Sequence, residues 1–466
     1  MDIEERRKVK PYSAYKPTGI PWLGEIPLNW EIWKIAHGFC LIGSGTTPPT
    51  NDLSWYEDGT IPWVTTSELR ESIILNTEKK IIPEAKKRFP TLKTYPPSSL
   101  LIAMYGATIG RIGLLAIDAT TNQACCALSS PVVFCPKYTY YWFQAFRNVI
   151  VNMAMGGGQP NLNQEIIKSL RIHTPPLAEQ QAIADFLDRE TAQIDTLIEK
   201  YTRLLDLLAE KRTALITHAV TRGLPPAPSS LDPKEQGERE LKPSGIPWLG
   251  EIPIHWEVKT IKNVSGNRSD AVQTGPFGAQ LHSSDYVDDG IPLILIKNVF
   301  ALQIHDEDIP KITHNKAKSL SMYRLQKDDI VFSRVGSIGR IAPVSEKEIG
   351  WLISGQMLRL RLNNPDFCTK FLLYVFSCDE ILKYIDLHSV GSTRDSINTE
   401  ILRNLPFISP PLAEQQAIAA YLDQQTAKID QTRQKIQTLI EKLKERRSAL
   451  IIAAVTGKIS ITPYHN

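Results

Sequence analysis

The strongest constraint on this chain is an internal duplication. The ten residues PPLAEQQAIA occur at 175–184 and again, without a change, at 410–419. The block TGIPWLGEIPLNWEIWKI begins at Thr18, and the similar block SGIPWLGEIPIHWEVKTI begins at Ser244. Other matching segments follow in the same order in both halves, so the chain is a tandem repeat of a unit of roughly 230 residues. A repeat of this length contains a globular domain of its own.

Composition limits the class of protein. The chain has 466 residues, is 42% apolar and 22% charged, and carries a net charge of +3, which is ordinary for a folded soluble protein. The near-neutral balance excludes a polycation but allows local basic faces. The amino terminus MDIEERRKVK lacks the apolar core of a signal peptide, and no apolar run approaches the length of a membrane span. These features predict a cytoplasmic protein.

The six cysteines show no metal-ligand spacing. None belongs to a CxxC pair or stands near a histidine cluster, so we predict free thiols and no metal site. They are Cys40, Cys125, Cys126, Cys135, Cys368 and Cys378.

Each copy begins with a mixed segment that we call a head. In the first head IPWVTTSEL, SLLIAMYG and IGLLAI favour strands, as IPLILIKNVF, DIVFSRVG and MLRLRL do in the second. EIIKSLRI and CTKFLLYVFSCDEILKYI favour short helices. Each head is therefore predicted to be α/β or α+β.

A long helix follows each head. Its proline pair is typical of a helix start, and apolar residues then recur every seven positions, which favours a coiled coil. The first row is Leu187, Ile194, Tyr201, Leu208 and Leu215, and the second is Leu422, Ile429, Ile436, Leu443 and Leu450. A second seam is only partly apolar: Ile183, Leu197 and Leu204, against Ile418, Thr432 and Leu439. Gly223 and the following prolines end the first helix.

Two packings fit the heptads: each helix packs on its own head, or the two helices pair with each other. We favour pairing because the apolar rows match position by position. A parallel pair would require the linker to run back about 60 Å, close to the reach of twenty extended residues. An antiparallel pair avoids this, and it predicts two heads held apart about an approximate two-fold axis. Such a shape suits DNA with two half-sites, and because the heads differ in their middle segments, the site is expected to be bipartite and asymmetric.

At this point the chain resembles a specificity subunit of a type I restriction–modification system. PPLAEQQAIA at each helix start, GIPWLGEIPxxW before each head, and GxIGR in both heads carry the resemblance. It implies α+β architecture: two α/β target recognition domains separated by two long helices that form an antiparallel coiled coil, as a pseudo-two-fold tandem repeat. The expected boundaries are 1–17 for an N-terminal segment, 18–174 and 244–409 for the recognition domains, 175–223 and 410–456 for the helices, 224–243 for a linker and 457–466 for a tail.

The resemblance also implies partners. They are double-stranded DNA, two modification subunits that methylate adenine at N6 with S-adenosylmethionine, and two restriction subunits that use ATP and Mg²⁺ for translocation and cleavage. No cofactor is expected in this chain. The adenine-methyltransferase signature is missing, since NNPDF at 363–367 lacks the second proline, and no phosphate-binding loop occurs. We therefore expect a non-catalytic subunit.

Candidate DNA contacts come from the divergent loops and from one repeated arginine. Arg111 and Arg340 occupy equivalent places, which favours a phosphate contact or a structural ion pair over base reading. The loop candidates in the first head are Thr46, Thr47, Thr65, Thr66, Arg70 and Gln159, and those in the second are Gln273, Gln280, His282, Lys297, Asn298 and Arg394.

The identical helix starts suggest one shared partner surface. Its candidates are Glu179, Gln180 and Gln181 with their twins Glu414, Gln415 and Gln416. A capping and packing requirement common to both copies explains the identity equally well. Two other functions remain open: a coiled-coil scaffold without a DNA role, and a self-sufficient restriction or methylation enzyme, against which the missing motifs count.

Overall fold

The computed structural model describes residues 11–154, 161–224, 240–246, 249–266, 268–276, 280–300, 302–335, 339–389 and 397–461. The chain divides into two compact units. Unit 1 comprises Met1–Thr202 and Gln437–Asn466, and unit 2 comprises Arg203–Ile436. Each unit contains one head and part of each long helix, so the division of the fold cuts across the duplicated halves of the sequence.

Unit 1 holds twelve described strands and four short or medium helices before the first long helix. The strands are β1 Tyr15–Pro17, β2 Glu25–Pro27, β3 Glu31–Lys34, β4 Phe39–Ser44, β5 Ile61–Val64, β6 Ser72–Ile74, β7 Lys80–Ile81, β8 Leu100–Ala103, β9 Ile112–Leu115, β10 Thr120–Thr121, β11 Cys125–Pro131 and β12 Arg171–Thr174. The helices are α1 Ile35–Gly38, α2 Pro83–Arg88, α3 Pro136–Asn152 and α4 Gln164–Ser169, and the long helix is α5 Leu177–Arg222.

Unit 2 follows a similar order with two more described strands and one more short helix. Its strands are β13 Leu241–Pro243, β14 Glu251–Pro253, β15 Glu257–Thr260, β16 Val272–Thr274, β17 Tyr286–Val287, β18 Ile291–Ile294, β19 Val299–Phe300, β20 Gln303–Ile304, β21 Lys311–Ile312, β22 Ile330–Ser333, β23 Ile341–Pro343, β24 Leu352–Ile353, β25 Met357–Leu360 and β26 Pro406–Ser409. Its helices are α6 Ile261–Val264, α7 His314–Ser319, α8 Thr369–Phe376, α9 Asp379–Ser389 and α10 Thr399–Asn404, and the long helix is α11 Leu412–Val455.

The two heads share one sheet plan. In unit 1 a five-stranded sheet runs β4-β11-β8-β9-β6, and a smaller sheet runs β10-β5-β7. In unit 2 the corresponding sheets run β16-β25-β22-β23 and β17-β21-β18-β24. The central strands are buried at every position and almost entirely apolar, which fits strands covered on each side. The predicted mixed heads are confirmed, although IPLILIKNVF splits into β18 and β19 around a 3-10 turn at Ile296–Asn298.

The two long helices begin and end at the sequence signals that favour a helix start and stop. The proline pairs precede the first helical residues, Leu177 and Leu412. At the other end Gly223 and Gly457 adopt positive φ values of 83° and 71°, which is the conformation that glycine provides after a helix C-terminus. The start and stop signals in the sequence therefore act as expected.

In unit 1 the two long helices pair in opposite directions. Leu187 of α5 shares a buried cluster with Ile451 and Val455 of α11. Eight residues later along α5, Asp195 accepts a hydrogen bond from Arg447 Nε at 2.9 Å. The partner residue number falls as the number along α5 rises, so the pairing is antiparallel.

Unit 2 shows the same pairing between the other parts of these helices. Arg212 of α5 lies 3.5 Å from Asp430 of α11. Val220 shares a buried cluster with Leu422 and Ile418. The two residue numbers in Asp195–Arg447 and the two in Arg212–Asp430 have the same sum. The helices in both units therefore pair in the same antiparallel register. The prediction of paired antiparallel helices is confirmed.

The second predicted seam behaves differently along its length. Ile183 and Ile418 are fully buried. Leu197, Leu204 and Leu439 are exposed by about two-fifths of their surface, so they are not part of a closed helix–helix core. Among the described residues no helix combines the length and apolar character that a membrane span requires.

A histidine is buried in the core of unit 1. His173 on β12 accepts a hydrogen bond from Trp142 Nε1 at 2.9 Å, and its Nε2 lies 3.2 Å from the carbonyl oxygen of Leu23. This geometry suits a neutral ring that donates from Nε2. Burial lowers the pKa of His173 to about 4.

We predict that this histidine makes unit 1 sensitive to acid. Between pH 6.5, the usual value for an unfolded histidine, and pH 4, the unfolded chain binds a proton that the folded chain does not. Stability is therefore complete above pH 6.5 and falls as the pH drops towards 4, by about 3 kcal/mol in all. Urea unfolding of the full chain at pH 7 and pH 4.5 measures this loss. The His173→Asn variant is expected to lose less stability over the same interval; equal losses would contradict the assignment.

Candidate nucleic-acid interface

The ends of three strands meet in the head of unit 1. Strands β5 and β10 are parallel, so their carboxyl ends lie side by side, and Asn122 N donates to Val64 O at 3.0 Å. Gly45, after β4, comes so close that an added Cβ would lie 1.7 Å from the carbonyl oxygen of Thr121. Only glycine permits this approach. The backbone thus fixes where the following loop residues lie.

This crossing brings together four of the predicted contacts. Thr46 and Thr47 follow β4, and Thr65 and Thr66 follow β5. All four are half-buried. The Thr47 hydroxyl bonds the side chain of Gln123, a residue that the sequence did not single out. We call these five residues the strand-end cluster; their hydroxyl and amide groups are of the kind that contacts base edges.

The head of unit 2 has the same crossing with different side chains. Strands β18 and β24 are parallel, and Ser354 N donates to Ile294 O at 3.0 Å. A Cβ at Gly275 would lie 2.2 Å from the Ser354 carbonyl oxygen. Predicted contact Gln273 lies two residues earlier on β16 and is half-buried.

A short 3-10 turn follows the crossing in each head. It spans Thr66–Glu68 in unit 1 and Ile296–Asn298 in unit 2. Glu68 Oε2 accepts from Thr65 N at 2.8 Å, and Asn298 Oδ1 accepts from Leu295 N at 3.1 Å. The last side chain of the turn therefore holds the backbone N–H of the residue that precedes the turn in both heads.

The prediction that Asn298 contacts DNA is wrong. Its side chain is 2% exposed, and its amide also donates to the carbonyl oxygens of His305 and Glu307 at 3.1 and 3.2 Å. An amide buried with both ends bonded has a structural role. Its neighbour Lys297 is exposed.

The repeated arginines stand just after glycines of positive φ, Gly110 and Gly339. Arg111 O accepts from Ala103 N at 2.8 Å, and Arg340 O accepts from Ser333 N at 2.9 Å. The Arg340 guanidinium donates to Ile296 O at 3.1 Å, so it supports the 3-10 turn of its head. This hydrogen bond favours a structural role for Arg340. Its partner is a backbone carbonyl group, and not the acidic side chain of the expected ion pair.

The remaining predicted contacts are spread around the heads. Arg70 is exposed, and its Nε donates to Ser67 O at 3.1 Å. Gln280 and His282 are exposed, with Gln280 accepting from the Tyr323 hydroxyl at 3.1 Å. Gln159 and Arg394 lie outside the residues that the structure describes.

A lysine that is not among the predicted contacts is repeated on the strand next to β5 and next to β18. Lys80 pairs with Pro62 across β7 and β5, and Lys311 pairs with Pro292 across β21 and β18. Lys80 is exposed and Lys311 is half-buried. The segments KKIIPEAKK and PKITHNKAK carry this signal, but their similarity is weak without the strand register. A cation at the same place in both heads suits phosphate, which every sequence offers.

The helix starts connect each long helix to its own head. Gln180 is 1% exposed; its Oε1 accepts from Cys135 N at 2.8 Å, and its Nε2 donates to Val133 O and Pro175 O at 3.0 and 2.9 Å. Glu179 accepts from Trp30 Nε1 at 3.1 Å.

Unit 2 repeats these bonds. Gln415 is also 1% exposed, accepts from Cys368 N at 2.9 Å, and donates to Asp366 O and Pro410 O at 3.1 and 2.9 Å. Glu414 accepts from Trp256 Nε1 at 3.0 Å.

These contacts correct the predicted partner surface. Gln180 and Gln415 are buried inside their units, with both ends of each amide bonded, so neither faces a partner. Glu179 and Glu414 are half-buried against tryptophans. Of the six, only Gln181 and Gln416 are exposed, and the Gln181 amide bonds Cys135 Sγ and Asp185 at 3.4 and 2.9 Å. The packing requirement therefore explains most of the identity between the two helix starts.

A second repeated contact lies two turns further along each helix. Lys137 and the Tyr141 hydroxyl both bond Asp188. In unit 2 Lys370 and the Tyr374 hydroxyl bond Asp423 in the same way. Burial, with a smaller contribution from Asp423, raises the pKa of Tyr374 to about 12, so the phenol stays protonated as a donor. Each head is thus attached to its helix at two levels.

Among the described residues, no group of three histidine, cysteine or acidic side chains is placed to hold a metal ion. The arrangement offers hydroxyl, amide and basic groups at strand ends on a well-supported backbone. Such groups suit binding.

Comparison with known proteins agrees with this architecture. A family model described as type I restriction modification DNA specificity domain matches residues 27–205 and 280–442. The specificity subunit of the type I restriction enzyme MjaVIII of Methanocaldococcus jannaschii is 22% identical, over 94% of both chains. The StySPI specificity subunit of Salmonella potsdam is also 22% identical, over 94% of this chain and 90% of its own.

Two solved structures share the fold. A chain from a study of complex assembly in a type I R-M system is 17% identical, with a TM-score of 0.63 over 93% of this chain and 99% of its own. The HsdS subunit from Thermoanaerobacter tengcongensis is 15% identical, with a TM-score of 0.52 over 93% and 98%.

The attachment of helix to head predicts a difference between neighbouring glutamines. Gln180→Ala leaves a buried N–H and two carbonyl groups without these partners, so the free energy of unfolding is expected to fall by about 2–3 kcal/mol. Gln181→Ala changes an exposed side chain and is expected to cost less than about 0.5 kcal/mol. Urea unfolding of the full chain measures both. Similar losses in the two variants would contradict the buried role of Gln180.

Proposed function

Because the chain belongs to the family of type I restriction modification DNA specificity domains, we propose that it is the DNA specificity subunit of a type I restriction–modification complex. Each head reads one half of a bipartite, asymmetric site in double-stranded DNA. The matched span of more than two-thirds of the chain, in two segments, supports one reader in each copy of the repeat.

One observation carries this proposal. Both heads build the same strand crossing, with Gly45 and Gly275 at the same close backbone approach, yet they present different exposed groups beyond it. A shared backbone places each loop at the same point, and unlike side chains then select unlike bases. Two such readers in one chain suit a site with two different halves.

The expected protein partners are two modification subunits and two restriction subunits. Exposed Gln181 and Gln416 occur once in each unit, which suits two copies of one partner.

In this proposal the chain binds DNA and positions it, and its partners do the chemistry. The modification subunits use S-adenosylmethionine to methylate adenine at N6, and the restriction subunits use ATP and Mg²⁺. The chain itself holds no cofactor and acts in the cytoplasm, where the DNA lies.

Footprinting of the assembled complex tests the reading role. With its modification subunits, the chain is expected to protect two short DNA segments separated by a fixed gap. Replacing residues 18–174 by the corresponding domain of another specificity subunit should change one protected half and leave the other. Equal protection of all sequences would overturn the proposal and favour a scaffold without a DNA role.

The paired helices are proposed to set the gap between the half-sites. Removing seven residues from α5 and seven from α11 keeps the heptad register and shortens each helix by about 10 Å. Since DNA rises about 3.4 Å per base pair, the preferred gap is expected to shrink by about three base pairs. Selection from DNA with randomised gap lengths measures it, and an unchanged gap would contradict the spacing role.

A further inference from the structure

The 3-10 turn after each strand crossing has the same backbone hydrogen bond in both heads but different side chains. Thr66–Glu68 in unit 1 and Ile296–Asn298 in unit 2 follow equivalent parallel strand pairs. In both turns the backbone N–H of the last residue bonds the carbonyl oxygen of the residue before the turn, at 3.1 Å for Glu68 and 3.0 Å for Asn298. The two turns are therefore the same structural feature.

Two different side chains hold these turns. Besides its bond to Thr65 N, Glu68 accepts from Glu78 N at 2.9 Å. Asn298, besides its bond to Leu295 N, donates to two carbonyl oxygens. A carboxylate and an amide thus each connect the turn to a loop further along the chain. The Glu68 and Asn298 side chains that hold the turns are themselves fixed by these hydrogen bonds.

The middle residue of each turn is exposed and differs between the heads. It is Ser67 in unit 1 and Lys297 in unit 2. The Ser67 hydroxyl lies 2.8 Å from the hydroxyl of Thr65, which belongs to the strand-end cluster. A serine hydroxyl donates and accepts, whereas a lysine ammonium only donates. One fixed position therefore presents different hydrogen-bonding groups in the two heads.

Building on the proposed function, we infer that this middle residue determines base preference in its head. Lys297 reads a base edge that offers acceptors, as guanine does in the major groove with O6 and N7. Ser67 reads its base in the first half-site over a shorter reach. Glu68 and Asn298 are positioning residues, because they fix the turn without facing the DNA.

The matched control lies in the same head. Lys311 is also a lysine near the crossing, but its twin Lys80 has the same chemistry. A lysine common to both heads cannot explain why the heads read different bases, so Lys311 is expected to contact phosphate. Comparing Lys297→Ser with Lys311→Ser separates base reading from attraction to the DNA backbone.

The experiment uses the complex of the full chain with its modification subunits and a library of split sites. K297S is expected to lose roughly tenfold preference at one base position of the second half-site and to leave the first unchanged. K311S is expected to weaken binding to all sequences alike and to reduce the slope of affinity against salt by about one.

The first head supplies an independent test of positioning. E68A is expected to lower base preference in the first half-site only. E68Q keeps one of the two accepting oxygens and sets an NH2 group against the other backbone N–H, so it is expected to restore the preference only in part. A loss of stability without a change in preference would show that Glu68 is merely structural and would count against the inference.

Failure of the inference and failure of the proposed function give different results. If wild-type protein selects a split site but K297S behaves like K311S, or has no effect, the inference is wrong and the proposed function stands. If wild-type protein selects no site, the proposed function itself fails, and the inference fails with it.

Discussion

The structure depends on one buried amide at the start of each long helix. Gln180 and Gln415 each join three backbone groups: one on their own helix start and two on the head. A buried network in which all these bonds are made is rigid, and removing its central group leaves several polar atoms unpaired. The angle between head and helix is therefore set by hydrogen bonds of fixed direction. Apolar packing alone would allow the two to slide.

The rest of each head diverges while the backbone stays in place. In unit 1 the buried hydroxyls of Ser99 and Ser129 bond at 2.9 Å across neighbouring strands. At the matching place in unit 2, Asp329 accepts from Arg361 Nε at 2.7 Å. Replacing only Arg361 would leave the buried Asp329 carboxylate without its opposite charge, so these two positions are expected to change together. Glu68 and Asn298 likewise hold equivalent turns of the two heads with different side-chain groups.

The sequence predicts the features that depend on local order. The duplication, the heptad rows, the proline starts and the glycine stop at Gly223 are all read from spacing, and the antiparallel pairing follows from linker length. Strand segments are also predictable, because buried strands are apolar. IPLILIKNVF is only partly predicted, since Asn298 draws the backbone into a turn through bonds to residues further along the chain.

The direction of individual side chains is not predictable in the same way. The spacing of Gln180 from Ile183 and Leu187 places it on the buried face of the helix, but only its contact with the head shows which backbone groups its amide bonds. The side-chain amide of Asn298 is of the kind that reads bases, and only its hydrogen bond to the His305 carbonyl oxygen shows its structural role. Lys80 and Lys311 are recognised as equivalent residues of the two heads only from the strand register. Each of these facts depends on contacts between segments that are distant in sequence.

The central claim is that two unlike readers in one chain select the two halves of one DNA site. Mapping of N6-methyladenine in cells that carry the complete system tests this most directly. We expect methylation within a sequence of two different halves at a fixed gap, and loss of that methylation when this chain is deleted. Methylation in an uninterrupted sequence, or methylation that persists without the chain, would contradict it.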